Sequence, residues 1–172
     1  ALEDIPDYPL PEGFEVRPPL PEHYRPISDA DREAFRDHWG FMEPTEEDYR
    51  SWLVNKTIFQ PELWQVAWDV ATNQVAGQVR RFFDHEQNKL YDRRRGYTEF
   101  ISVRRPYRRR GLARALIARS IRAQKEAGMT ESALSVDSEN LTGAMKVYED
   151  CGFRVMKKMT VYRKPLITIG QT

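Results

Sequence analysis

The stretch ISVRRPYRRRGLARAL, residues 101–116, decides how the rest of the chain reads. Its first three residues close the alternating run YTEFISV at 97–103, which predicts a strand. From Gly111 onward apolar residues recur at helical spacing. Leu112, Ala113, Leu116, Ile117 and Ile121 share one stripe while Arg114, Arg122 and Lys125 face away, so an amphipathic helix is predicted over 111–127. A strand passing through a short loop into a helix leaves unpaired N–H groups and the positive end of the helix dipole at the loop. An anion is favoured there, and a residue as small as Gly111 lets backbone approach it closely. The spacing Arg108-x-x-Gly111-x-Ala113 has the form of a pyrophosphate cradle, and it fits equally well a plain strand-to-helix turn dressed with surface arginines.

Upstream, seven prolines between Pro6 and Pro26 exclude a regular helix through most of 1–26 and favour extended chain. Residues 1–13 read as a Pro-rich linker or tail, and 14–172 as one domain opening with a short strand at 14–17. ISDADREAFRDHW at 27–39 predicts a helix with Ser28 or Asp29 as N-cap and Gly40 as its stop, and TEED at 45–48 starts a second helix reaching about Lys56. Residues 63–70 and 74–83 form a hairpin about Ala71-Thr72-Asn73, and 84–96 read as a charged loop. After the 111–127 helix come a strand at 132–136, a helix at 141–150 and a final strand or two over 153–164. The order is β-α-α-β-β-β-α-β-α-β, an α/β fold with a mixed, mostly antiparallel sheet and helices on both faces.

The 172 residues are 40% hydrophobic, with four Trp, eight Tyr and eight Phe, enough for one packed core and too many for a disordered chain. No run approaches the roughly 18 apolar residues of a membrane span, and the first residues lack the basic and apolar parts of a signal peptide. Cys151 is the sole cysteine, so an internal disulfide and a multi-thiolate metal site are excluded. These features suggest a cytoplasmic protein away from membranes.

Net charge is +1, yet the charges are segregated. Residues 1–50 carry 14 acids and five arginines, whereas 93–122 carry 11 arginines and one acid, Glu99. That block needs a solvated surface or a polyanionic partner, either nucleic acid or a small polyphosphate. G-x-S-x-G, H-E-x-x-H, the P-loop and G-x-G-x-x-G are all missing, and His23, His38 and His85 have no metal spacing, so no metal site is expected.

A second cluster lies at 136–153, VDSENLTGAMKVYEDCGF. Asn140 stands before the predicted helix, where an N-cap role is the ordinary one, and Tyr148 stands about two turns further on. A phenol with an ordinary pKa near 10 can donate a proton, although a helical tyrosine taken alone is more often packing.

Together the two clusters resemble the GNAT superfamily of acyl-CoA-dependent N-acyltransferases. VRRPYRRRGLARAL matches its [RQ]-x-x-G-x-[GA] acyl-CoA motif after a strand, and ENLTGAMKVYEDCGF matches N-x-x-x-A-x-x-x-Y-x-x-x-G-F, in the right order and separation. DHWGF at 37–41, PELW at 61–64 and the arginine run look most like the tandem-domain branch that includes mycothiol synthase, which implies a second GNAT domain N-terminal to this one.

The resemblance implies acetyl-CoA as co-substrate and no metal. Backbone N–H groups of Arg109, Arg110, Gly111, Leu112 and Ala113 would bind pyrophosphate, with Arg108 near phosphate oxygens. Ile101, Ser102 and Val103 would pair with the pantetheine arm, Asn140 and Ala144 would contact it, and Tyr148 would protonate the leaving thiolate. Glu99 is a candidate base for the attacking amine, or else a strand residue paired with an arginine. His38, Trp39, Glu43 and Tyr49 are acceptor-side candidates on the two early helices. The implied activity is N-acetyl transfer to a primary amine of a small molecule or peptide. Two alternatives stand beside it: a degenerate GNAT domain that binds CoA without catalysis, and a basic nucleic-acid-binding module. The acidic first 50 residues argue against the latter.

Overall fold

The computed structural model describes residues 2–36, 40–136, 143–160 and 162. Among the described residues five strands form one sheet in sequence order: β1 (Phe14–Arg17), β2 (Gln65–Asp69), β3 (Gln74–Phe82), β4 (Arg95–Val103) and β5 (Glu131–Ala133). The first four pair antiparallel. β5 runs parallel to β4, because the chain returns through the helix α4 (Leu112–Glu126).

The hairpin between β2 and β3 turns as expected at Ala71-Thr72-Asn73. Asp69 organises it, its carboxylate accepting from the Ala71 N–H at 3.0 Å and the Thr72 hydroxyl at 2.7 Å, with Asn73 in the left-handed region. Helix α1 (Tyr24–Phe35) covers one face, where Ile27 and Ala30 pack on Val66, Trp68 and Val75. Helix α4 covers the other, with Leu112, Leu116, Ile117 and Ile121 on Ala67, Ala76 and Val79. The architecture is the mixed, mostly antiparallel sheet with helices on both faces that the pattern predicts.

Several boundaries differ from expectation. Helix α1 begins at Tyr24 rather than 27, since Pro26 lies in its first turn, where a backbone N–H has no helical partner to lose. Its end differs too, falling at Phe35. Helix α2 spans Glu46–Leu53, capped by Thr45, whose hydroxyl accepts from the Asp48 N–H at 3.2 Å. The segment expected as a loop at 84–96 contains a helix, α3 (His85–Leu90). Asp84 caps it through the Gln87 N–H at 2.9 Å, and six residues are too few to show a helical period. β4 starts at Arg95, two residues early, because the Asn88 side chain holds both polar groups of the Arg95 backbone. β5 sits one residue early, and α5 (Ala144–Asp150) is shorter than expected. Of the final strand expected over 153–164, residues 153–160 form none, and 161, 163 and 164 lie outside the described residues. Phe153 packs on the core, while Val155, Met156 and Met159 are exposed.

A row of polar side chains fixes α1 over the sheet. Gln78 donates to the Ile27 carbonyl at 2.9 Å, Arg80 pairs with Asp31, Arg104 with Glu33 at 2.8 Å, and Arg108 donates to the Ala34 carbonyl at 3.0 Å.

Residues 2–13 form neither helix nor strand, turn at Glu12–Gly13 into β1, and lie against the same core. Leu2, Ile5, Tyr8 and Leu10 pack onto it, and the Tyr8 hydroxyl donates to the Asp150 carbonyl at 3.3 Å. Arg122 holds the Pro6 carbonyl at 2.9 Å and Asp7 at 2.7 Å, and Arg110 reaches the Glu12 carbonyl at 3.2 Å.

Candidate active site

The parallel ladder between β4 and β5 is short, ending at Tyr97 and Ala133. Two residues further along, the Glu99 carboxylate accepts a hydrogen bond from the Ser135 N–H at 2.8 Å, in place of a strand-to-strand bond. The strands part there, and a cleft of about 700 Å³ opens between them, floored by β4 and walled by the starts of α4 and α5.

Eleven of the residues singled out in the sequence meet in this cleft: Glu99, Ile101, Ser102, Val103, Arg108, Arg109, Gly111, Leu112, Ala113, Ala144 and Tyr148. Helix α4 opens without a side-chain cap. Its N-cap is Gly111 at φ +83°, and Arg109 just before it is also left-handed at φ +61°. The first N–H groups of a four-turn helix thus face the cleft without a side-chain acceptor, which suits a phosphate.

The side chains around this loop have other duties. Leu112 is buried in the core, so only its backbone can serve a ligand. Ser102 is buried, with only 6% of its surface exposed. Arg108, expected near phosphate oxygens, spends its guanidinium on the Val103 carbonyl at 3.0 Å and the Ala34 carbonyl at 3.0 Å, tying the loop to α1. Arg110 does not line the cleft; its guanidinium stacks over the Phe14 ring at 4.4 Å. Arg109 is exposed. Arg114, which sequence reading placed on a solvated helix face, lines the cleft and shares Asp150 with Lys146.

Burial pushes the Glu99 carboxyl above its ordinary 4.5, and the hydrogen bonds from Ser135 only partly oppose this. Burial likewise pushes the Tyr148 phenol above 10, and the nearby Glu99 charge pushes it further. The two groups therefore sense one another across the cleft. One is a carboxyl that holds a proton more readily than usual, and the other is a phenol that stays protonated.

The acceptor-side candidates do not gather at this point. Glu43 pairs with Arg32 at 3.2 Å, and the Tyr49 ring lies under the Arg25 guanidinium at 3.5 Å; neither lines the cleft. His38, Trp39 and Asn140 lie outside the described residues. Cys151 is buried at the end of α5, with its thiol pushed up to about 11 by burial, which suits a packing residue and not a nucleophile.

Sequence reading missed Phe100. β4 pairs Ser102 with Gln78 but Glu99 with Arg80, so one extra residue is inserted at Phe100, which stands at φ +50° and lines the cleft. No sequence signal marks this bulge, because an aromatic β-strand residue carries no preference for a left-handed backbone. Ser135, Phe35 and Val136 at the cleft were missed as well.

The arginine block is not a free basic face. Arg95 pairs with Glu131, Arg104 with Glu33, Arg114 with Asp150 and Arg122 with Asp7, while Arg108 and Arg110 hold backbone carbonyls. Among the described residues no three His, Cys, Asp or Glu side chains stand together as a metal site, and no helix is long and apolar enough to cross a membrane.

The cleft thus lies at a splayed strand pair, beside an uncapped helix N-terminus, and carries a carboxyl and a phenol. The chain belongs to the acetyltransferase (GNAT) family, whose model matches residues 25–153. It is 38% identical over 84 residues to an Arabidopsis thaliana protein named N-alpha-acetyltransferase MAK3, covering 49% of this chain and 41% of that one. Among solved structures it is similar to a GCN5-related N-acetyltransferase from Sphaerobacter thermophilus, with TM-score 0.73 and 29% identity over 90% of this chain and 45% of that one. It is also similar to a chain in the NatC complex bound to Gag peptide and CoA, with TM-score 0.66 and 27% identity over 85% and 87% of the two chains. The chain thus spans less than half the length of the MAK3 and Sphaerobacter proteins. Acetyl-CoA is the co-substrate that membership of this acetyltransferase family and the likeness to the CoA-bound NatC chain support.

Proposed function

We propose that this domain transfers the acetyl group of acetyl-CoA to the N-terminal α-amine of a peptide by direct attack. The observation that carries the reading is the placement of Glu99 and Tyr148 in one cleft beside the uncapped start of α4. The likeness to MAK3 and to the NatC chain supports the peptide acceptor.

The chemistry favours the same acceptor. An α-amine has a pKa near 8 and a lysine amine one near 10.4, so neutralising the lysine costs about 3 kcal/mol more. Glu99 is a carboxylate that burial makes more basic than usual, and it suits the stronger of the two ammonium acids, that of the α-amine. As the amine nitrogen bonds to the thioester carbon, Glu99 accepts its proton. The bulged peptide at Phe100, outside the regular ladder, offers a donor to the carbonyl oxygen. Tyr148 gives its proton to the sulfur as the C–S bond breaks, and is reprotonated from solvent. Glu99 passes the proton it took to solvent, so the products are an amide and the free thiol, with one proton released overall from the starting ammonium.

In this reading the N–H groups at residues 109–113 hold pyrophosphate, Ile101 and Val103 flank the pantetheine arm, and Ala144 borders it. The second GNAT domain implied by the tandem resemblance belongs to the same proposal.

A panel of acceptors tests it. Peptides with free N-termini, the same peptides N-blocked with an internal lysine, and small amines are offered with acetyl-CoA while thiol release and product mass are followed. Acetylation confined to α-amines is expected. Turnover only with lysine or small amines overturns the peptide reading. Tight CoA binding by calorimetry without turnover of any amine supports the non-catalytic alternative instead.

A further inference from the structure

Arg80 is a cation in the protein interior, 5% exposed. Its guanidinium pairs with Asp31 of α1 and lies against three aromatic rings, Phe100 at 4.4 Å, Trp52 at 5.1 Å and Trp64 at 5.9 Å. The Arg80 Nε has no hydrogen-bond partner. A buried charge with unfilled hydrogen bonds is costly, and an apolar side chain could fill this space at lower cost. The charge therefore calls for a local reason.

Phe100 supplies one. It is the inserted residue of β4, next to Glu99, the ladder partner of Arg80, and it holds a left-handed backbone that an aromatic residue adopts only under constraint. A desolvated cation–π contact is of the same order as the strain of one such residue, so the Arg80 contact is large enough to hold the ring and the bulge behind it. Glu99 is the next residue along the strand, and the bulge decides where its carboxylate points. Asp31 of α1 anchors the Arg80 guanidinium.

We propose that Arg80 is a positioning residue for acetyl transfer: anchored by Asp31, its guanidinium holds the Phe100 ring, keeps β4 in its bulged form and so sets Glu99 and the bulged peptide in the cleft. The inference rests on the reading of Glu99 as the base. It touches neither the pyrophosphate loop nor Tyr148.

The test compares Arg80→Met, Arg80→Lys, Phe100→Leu and the double variant Arg80→Met/Phe100→Leu with the parent. A misplacement of about 1 Å at reacting groups costs on the order of 10²-fold in rate, so Arg80→Met should lose that much kcat. Calorimetric affinity for acetyl-CoA should stay within about twofold, because the binding loop is untouched. Arg80→Lys, which keeps the charge, should recover part of the loss. Phe100→Leu keeps the Arg80–Asp31 pair and should lose kcat as well, and the double variant should fall no further than Arg80→Met, since both break one contact. Amide hydrogen exchange should quicken at residues 99–101 and not across the sheet. A folded Arg80→Met protein with parental kcat overturns the proposal, as do additive losses or exchange that rises evenly through the sheet. If Arg80→Met does not fold, parental kcat in Phe100→Leu overturns it. If the parent acetylates no amine, the acceptor reading fails, and exchange at residues 99–101 still decides the role of Arg80.

Discussion

The Glu99 carboxylate and the Ser135 amide meet at 2.8 Å, where a strand-to-strand hydrogen bond would otherwise continue the β4–β5 ladder. That bond holds the carboxylate at the mouth of the cleft and half-buries it, and the burial raises its pKa. Sheet termination and acid–base tuning are thus one structural event.

Glu99 must be ionised to take a proton, and its folded pKa lies above the ordinary 4.5. The acid limb of the kcat profile should therefore fall at a pH above 4.5, with activity rising as pH increases through it. Glu99→Gln should remove that limb and lower kcat by about 10²–10⁴-fold. The linkage to stability has the opposite trend. A raised carboxyl pKa gives stability that is present below pH 4.5 and lost as pH rises through the folded value. Glu99→Gln keeps an acceptor for Ser135 and should be at least as stable as the parent at pH 7, which thermal melts at pH 4 and pH 7 would check.

Tyr148→Phe should lower kcat by about 10²–10⁴-fold and leave acetyl-CoA affinity nearly unchanged, since the ring still packs while the proton donor is gone. The phenol pKa is raised above 10, so Tyr148 keeps its proton through neutral pH and places no basic limb there. Single-turnover rates beside calorimetry measure both quantities. Equal rates in the two proteins would reduce Tyr148 to packing.

Gly111→Val puts a β-branched residue at φ +83°, a left-handed backbone costing an L-residue about 1–2 kcal/mol. No atom lies within 4 Å of the added Cβ, so the fold should survive and the stability loss should stay near that figure. The effect belongs to the ligand, whose approach to the α4 N-terminus the side chain would obstruct. Isothermal calorimetry should show weakened CoA binding, and unchanged affinity in the folded variant would remove the cradle from residues 108–113.

The segment before β1 should contribute to stability. Tyr8 packs on the core and bonds to the Asp150 carbonyl, so Tyr8→Ala should cost about 1–2 kcal/mol. Urea denaturation with an unchanged m-value would report it. Removal of residues 1–11 should cost more, because Leu2, Ile5 and Leu10 leave with it.

What the sequence determined by itself was the junction at residues 101–116 and the cluster around Tyr148, because both depend on local rules. Strand alternation, helical spacing, a loop glycine and a tyrosine within a helix can each be read within about 15 residues of chain, although α5 starts at Ala144 and leaves Tyr148 about one turn in rather than two. The first strand at Phe14–Arg17, the β2–β3 hairpin and the two-faced sheet follow from the same periodicities. Tertiary structure alone decided how the arginines are used and where β4 bulges. Arg108 looks like a phosphate ligand in a local reading, yet the Ala34 carbonyl, some 70 positions earlier, claims it once α1 packs on the sheet, as Glu33 claims Arg104. Phe100 takes a left-handed backbone that no local preference favours, and Glu99 becomes a perturbed acid through its neighbours in space. Hydrogen-bond partners, burial and strain are set by contacts between distant segments, so they become visible only when those segments meet.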